Sequence, residues 1–164
     1  MGSCDAMSMT LIQEQVLGSA VPSVTFGSIP QAYTDLYIEI ETGPNTSNSD
    51  GSITFNGDTG TNYSRTYVLG NGSAASSGRD GAATGIHLLW TDASGGPFVA
   101  HYDIMSYANT SIFKNLLARE SGATWAVDAG VGLWRSTAAI TSIAFTTAVG
   151  NFAAGSTFRL WGIK

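Results

Sequence analysis

Residues 29–42, IPQAYTDLYIEIET, alternate apolar and polar side chains: Leu36, Ile38 and Ile40 fall on one side, Tyr37, Glu39 and Glu41 on the other. In an extended chain successive side chains point to opposite faces, so this pattern predicts a strand with one buried face. Pro30 has no N–H to give to a ladder and marks the entry; Gly43-Pro44 closes the segment with turn chemistry. Comparable short segments follow at 21–26, 52–55, 63–69, 85–90, 98–105, 112–119, 124–127, 132–136, 140–146 and 157–163. Clusters of Gly, Asn, Asp and Ser at 45–51, 57–62, 70–85, 92–97 and 148–155 separate them. No segment sustains a 3.6-residue apolar period, although 112–118 (IFKNLLA) also admits a turn or two of helix. Many short strands divided by turn residues predict an all-β sandwich or barrel rather than a parallel sheet with helices.

Two stretches stand outside this pattern. Residues 1–14 are polar and Met-rich and read as an N-terminal arm that orders against a partner, leaving 15–164 as a single sandwich domain. Residues 70–85 (GNGSAASSGRDGAATG) read as a long Gly/Ser/Ala loop, whose ordering is costly unless a neighbouring subunit supplies contacts.

Composition sharpens the picture. The 164 residues suffice for one hydrophobic core, and only 12% are charged, about half the usual share. A surface so poor in Lys and Glu does little to keep copies apart and suits a chain packed against other subunits. The net charge is -5, and the seven basic residues are scattered from Arg65 to Lys164, so no basic run tracks a phosphate backbone. Direct nucleic-acid binding is not expected, nor is a membrane span. The single cysteine, Cys4, excludes an internal disulfide. Residues 1–20 lack a basic leader and Gln13, Glu14 and Gln15 break their apolar stretch, so no signal peptide is expected. Met1-Gly2 invites N-myristoylation, but Ala6 stands where that motif wants Ser or Thr.

Candidate chemistry is sparse, and the expectation is a protein without catalysis, cofactor or metal. His101 and Asp103, two apart in one strand, share a face, and a cross-strand or surface polar pair is the simpler reading because no third ligand or nucleophile accompanies them. Thr46–Gly51 is similar to a calcium loop but has Thr46 at the first ligand position and Gly57 at the twelfth, so it reads as a β-turn. Glu39 and Glu41 read as solvated edge charge rather than a glycosidic acid pair. Four tryptophans and six tyrosines are able to stack on sugars, although most large aromatics in a sandwich are core. Trp161 differs: with Phe158 and Leu160 inward, it points outward.

The segment Ile29-Pro30-Gln31-Ala32-Tyr33-Thr34-Asp35-Leu36, of the form IPxxYxDL, and the C-terminal WRSTAAITSIAFTTAVGNFAAGSTFRLWGIK resemble structural proteins of tailed bacteriophages. The shared features at that end are Ile140-Thr141-Ser142-Ile143, the turn Gly155-Ser156, and Phe158 to Ile163, with Trp161 where a tyrosine is usual; residues 50–120 are unmatched. The resemblance implies a jelly-roll-like antiparallel β-sandwich with an extended N-terminal arm and its terminal strands side by side. It further implies a virion component, either a decoration (cement) protein on the capsid or a domain of a tail or fibre; the size of the chain favours a decoration protein on the capsid surface, expected as a homotrimer seated between subunits of the major capsid protein. Its contact residues are then expected in the arm (Met1, Cys4, Met7, Met9, Leu11), in the 70–85 loop (Asn71, Arg79, Asp80) and at Trp161. The alternative is a tail or fibre domain that recognises host carbohydrate.

Overall fold

The computed structural model describes residues 8–43, 49–91, 97–122 and 126–164. Among these it contains twelve strands and no helix. In chain order they are β1 (Met9–Val16), β2 (Ser23–Phe26), β3 (Asp35–Thr42), β4 (Ser49–Phe55), β5 (Tyr63–Gly70), β6 (Ala75–Ala83), β7 (Ile86–Thr91), β8 (Phe98–Met105), β9 (Lys114–Gly122), β10 (Ala126–Trp134), β11 (Ile143–Thr147) and β12 (Thr157–Ile163). Eight of them alternate between two antiparallel sheets, β1-β12-β3-β8 facing β2-β11-β4-β7, which is the strand order of a jelly roll. Two inserted hairpins, β5-β6 and β9-β10, continue the first sheet beyond β8 and widen it to eight strands in the order β1-β12-β3-β8-β9-β10-β5-β6. The first and last strands pair along their length, as the resemblance implied.

The alternation of β3 fixes the inner layer. Leu36, Ile38 and Ile40 are buried, facing Ile53 and Phe55 of β4 and Phe145 of β11 within one core. Phe145 makes an edge contact with Phe26 at 6.1 Å and packs on Phe158 at 5.6 Å. Each such aromatic removed from water is worth about 2–3 kcal/mol, so this layer joins the two sheets. The motif residues are fold residues: Ile29, Leu36, Ile140, Ile143, Phe158 and Leu160 are buried, and Asp35 Oδ1 accepts a bond from the Ser106 N–H at 2.7 Å. Tyr33 lies across Gly162, where a side chain would collide with its ring.

Three expectations change. Residues 9–14 of the anticipated arm belong to β1, which pairs with β12 through a bulge at Leu11/Gln13. No apolar period announces β1 because it is an edge strand whose glutamines face the second sheet: Gln13 and Gln15 donate to the carbonyls of Gly27 (2.6 Å) and Thr25 (2.8 Å). The anticipated 70–85 loop is mostly strand: β6 pairs with β5 through backbone bonds that ask nothing of the Ser76 and Ser77 side chains. And the break expected between 124–127 and 132–136 is absent, since 126–134 run unbroken as β10; residues 124 and 125 lie outside the described residues. Segment 112–118 resolves as strand from Lys114 onward.

Candidate functional site

The register of the large sheet lines up residues of its outer face in rows across all eight strands. One row reads Leu11, Trp161, Tyr37, Asp103, Leu117, Val131, Thr66, Arg79. The next reads Glu14, Arg159, Glu39, His101, Arg119, Ala129, Val68, Ser77. The face thus has two halves of different character.

Over β1, β12, β3 and β8 it is aromatic and charged. Trp161 Nε1 donates to Glu39 Oε2 at 2.9 Å, and the Tyr37 hydroxyl meets His101 Nδ1, their rings 5.6 Å apart. Arg159 donates to Glu14 at 2.7 Å and to Glu41 at 3.2 Å; Arg119 lies 3.7 Å from Asp103. Partial burial, with Glu39 adding to it, pushes the Tyr37 phenol above its usual range. His101 and Asp103 do share a face, but each is engaged by a neighbouring strand and they form no acid-base dyad. Glu39 and Glu41 lie on an interior strand and take cross-strand donors, so they are not free edge charge.

Along β10 and the adjoining Leu117 and Val68, with Asn115, Arg119 and Thr66 as polar neighbours on β9 and β5, the outer face is apolar because β10 is inverted. Its sequence AVDAGVGLW turns Val127, Ala129 and Val131 outward, and Ala126, Asp128, Gly130 and Gly132 inward. Val127 is 62% exposed, Val131 48% and the adjoining Val68 of β5 59%. The inner glycines make room: a Cβ at Gly132 would stand 2.7 Å from Ile86, and one at Gly130 3.1 Å from Arg65 Nε. Shallow depressions beside Val68, Leu117, Val127 and Val131 pit this surface.

Beneath β10 lies a buried ionic cluster. Arg65 Nη2 bonds Glu120 at 3.0 Å and Asp128, Tyr102 donates to Glu120 Oε1 at 2.6 Å, and the guanidinium sits 4.9 Å from the Tyr67 ring centre. Arg65 Nε and Asp128 Oδ2 are buried without a hydrogen bond. Burial drives the Asp128 carboxyl upward despite the guanidinium beside it. Among the described residues no group of three His, Cys, Asp or Glu is arranged to hold a metal.

The expected contact residues separate accordingly. Leu11, Arg79 and Trp161 occupy one row of the outer face, with Met9 at the end of β1 opposite Ile163. Asn71 instead caps the β5-β6 turn, accepting from Ser73 and Ala74 N–H at 3.0 and 2.8 Å, and Asp80 turns inward to His87 Nδ1 at 3.1 Å. Met1, Cys4 and Met7 lie outside the described residues, as do residues 46–48 of the calcium-loop stretch. Trp134 is core, stacked on Tyr63. Sequence reasoning missed Arg65, Glu120 and Asp128; the only signal was Asp128 alternating with Val127 and Val131.

No family model and no curated protein matches the chain. Among solved structures, an alginate lyase is 9% identical over 96% of this chain and 78% of its own, with a TM-score of 0.37. A GH43 protein from Bacillus licheniformis is 9% identical over 86% of this chain and 32% of its own, with a TM-score of 0.31. A legume lectin-like domain from Entamoeba histolytica is 9% identical over 96% and 89%, with a TM-score of 0.27. Similarities this low carry no argument about activity or ligand.

Proposed function

We propose that the protein is a non-enzymatic virion structural component, a capsid decoration protein that sits between major capsid subunits and braces the shell. The observation that carries this reading is the inverted strand β10, which spends Val127, Ala129 and Val131 on the outside of the sheet although a strand folded for itself alone would turn them inward. Such a face, on a chain with 12% charged residues, suits a protein whose working state is an assembly. The resemblance at Ile29–Leu36 and 134–164 supplies the kind of assembly. Particles banded from cultures that make the protein should carry it at a fixed ratio to the major shell protein, and particles stripped of it should break at lower temperature. Finding the chain only in the free fraction, or stripped particles equally heat-resistant, contradicts the proposal.

A second reading rests on the other half of the face. Trp161 and Tyr37, adjacent across β12 and β3 and flanked by Glu39, His101 and Asp103, form an aromatic shelf with polar groups at its margin, the arrangement that stacks on and hydrogen-bonds a sugar ring. In that case the protein is a tail or fibre domain for host carbohydrate. Saturable glycan binding abolished by Trp161→Ala supports it; a glycan array without hits contradicts it.

A further inference from the structure

The apolar half of the outer face carries its own indication of what covers it. β10 is the middle of the five strands β8-β9-β10-β5-β6, with two strands on each side. In the row that crosses them, Asp103 stands on β8 and Arg79 on β6, and Leu117, Val131 and Thr66 lie between. An acid and a base thus flank an uncharged strip at equal distances from its centre, about 10 Å on either side. Asp103 has only a loose contact at 3.7 Å with a largely exposed Arg119, and Arg79 is exposed and forms no ion pair among the described residues.

We infer that two copies of this chain pack these faces together about a two-fold axis running along β10. The rotation lays β10 on β10, β9 on the partner subunit's β5 and β8 on the partner subunit's β6. Val127, Ala129 and Val131 then meet their own copies near the axis. Asp103 meets the partner subunit's Arg79, and the symmetry makes that pair twice, as an isologous contact requires. Sheets packed face to face lie about 10 Å apart with their strands nearly aligned, a gap that valine and leucine side chains fill. A partner of another kind has no reason to match the equal and opposite placement of the two charges.

Five strands and three rows cover about 450 Å² per copy, or about 900 Å² in total, below the roughly 1,200 Å² at which stable specific interfaces begin and within the range of weak, transient ones. The dimer is therefore weak and reversible. This goes beyond the functional reading above, because pairing is a property of the free chain. Failure to dimerise leaves shell binding standing, and failure to bind shells leaves the dimer standing.

Sedimentation equilibrium of the full chain under reducing conditions, from about 1 to about 200 μM, tests the inference. Wild type should fit a monomer-dimer equilibrium, and Val131→Glu should stay monomeric across the range. Arg79→Asp and Asp103→Arg should each weaken association about tenfold or more, and the double exchange Arg79→Asp/Asp103→Arg should return it to within about threefold of wild type. Near-UV circular dichroism reports whether each variant is folded; if Val131→Glu is not, Val127→Lys takes its place. A wild type that stays monomeric or forms trimers, a folded face variant that still dimerises, or a double exchange no tighter than its singles overturns the inference.

Discussion

Glu120 and Asp128 stand directly opposite each other in the β9-β10 register, both buried, with the Arg65 guanidinium bonded to each. Two carboxylates in cross-strand register repel unless a cation lies between them, so Arg65 is what makes this pairing tolerable. Arg65→Met keeps the side-chain bulk and removes the charge. It should cost about 3–5 kcal/mol of unfolding free energy in urea titration, whereas Arg65→Met with Glu120→Gln and Asp128→Asn should recover part of that loss. A single variant as stable as wild type would mean that the cluster is not an ion pair in solution.

Acid titration should show two contributions of opposite sign. Asp58 accepts from Trp134 Nε1 at 2.7 Å and from the Gly60 N–H at 2.9 Å, and the Trp134 bond foremost holds its carboxyl below the usual range. Its stabilisation is present above the unfolded-state value of about 4 and is lost as pH falls through the lower folded value. Asp128 is raised by burial, so its term is greatest below about 4 and fades as pH rises through the higher folded value. Asp58→Asn should therefore lessen the loss of stability on acidification, and Asp128→Asn should steepen it. Unfolding midpoints from pH 2 to 7 that keep the wild-type slope in both variants would refute these assignments.

Asn56 joins β4 to the segment before β11. Its φ is 53°, its Oδ1 accepts from the Thr141 and Ser142 N–H groups at 2.8 and 3.1 Å, and its Nδ2 donates to the Ala139 carbonyl at 2.8 Å. Asn56→Ala loses these bonds and meets the left-handed backbone penalty, for about 2 kcal/mol, whereas Asn56→Gly loses only the bonds, for about 1 kcal/mol. The ranking of the two urea midpoints checks this, and an alanine variant at least as stable as the glycine one contradicts it.

The two sides of β10 should respond oppositely to bulk and polarity. Gly132→Val places atoms where Ile86 stands 2.7 Å from the first added carbon, and should destabilise by about 2 kcal/mol or more. Val131→Thr, on the outer side, should change monomer stability by less than about 0.5 kcal/mol. Equal effects at the two positions would mean the strand is not inverted.

This inversion also explains how much could be read from the sequence. β3, β8 and β12 were legible because each buries one apolar side and exposes the other, and β8 and β12 were expected to their last residue. β10 was read as two pieces, 124–127 and 132–136, because Asp128 and Gly130, which here face inward beside Arg65, look like turn residues in isolation. β1 and β6 are edge strands held by backbone ladders and glutamine side chains, so their sequences carry no two-residue period. Trp161 was legible as an outward aromatic, since Phe158 and Leu160 fixed the side. Its companions Tyr37, Glu39 and His101 come from strands far apart in sequence and meet it only through register. The charge cluster was hidden for the same reason, with Arg65, Glu120 and Asp128 on three strands.

The most direct test is a cryo-EM map of particles purified from cultures that make the protein, read at Val127, Ala129 and Val131. The account predicts copies repeated over the shell with the outer side of β10 buried against protein. Particles free of the chain, or copies bound to the shell with that face open to solvent, would contradict it.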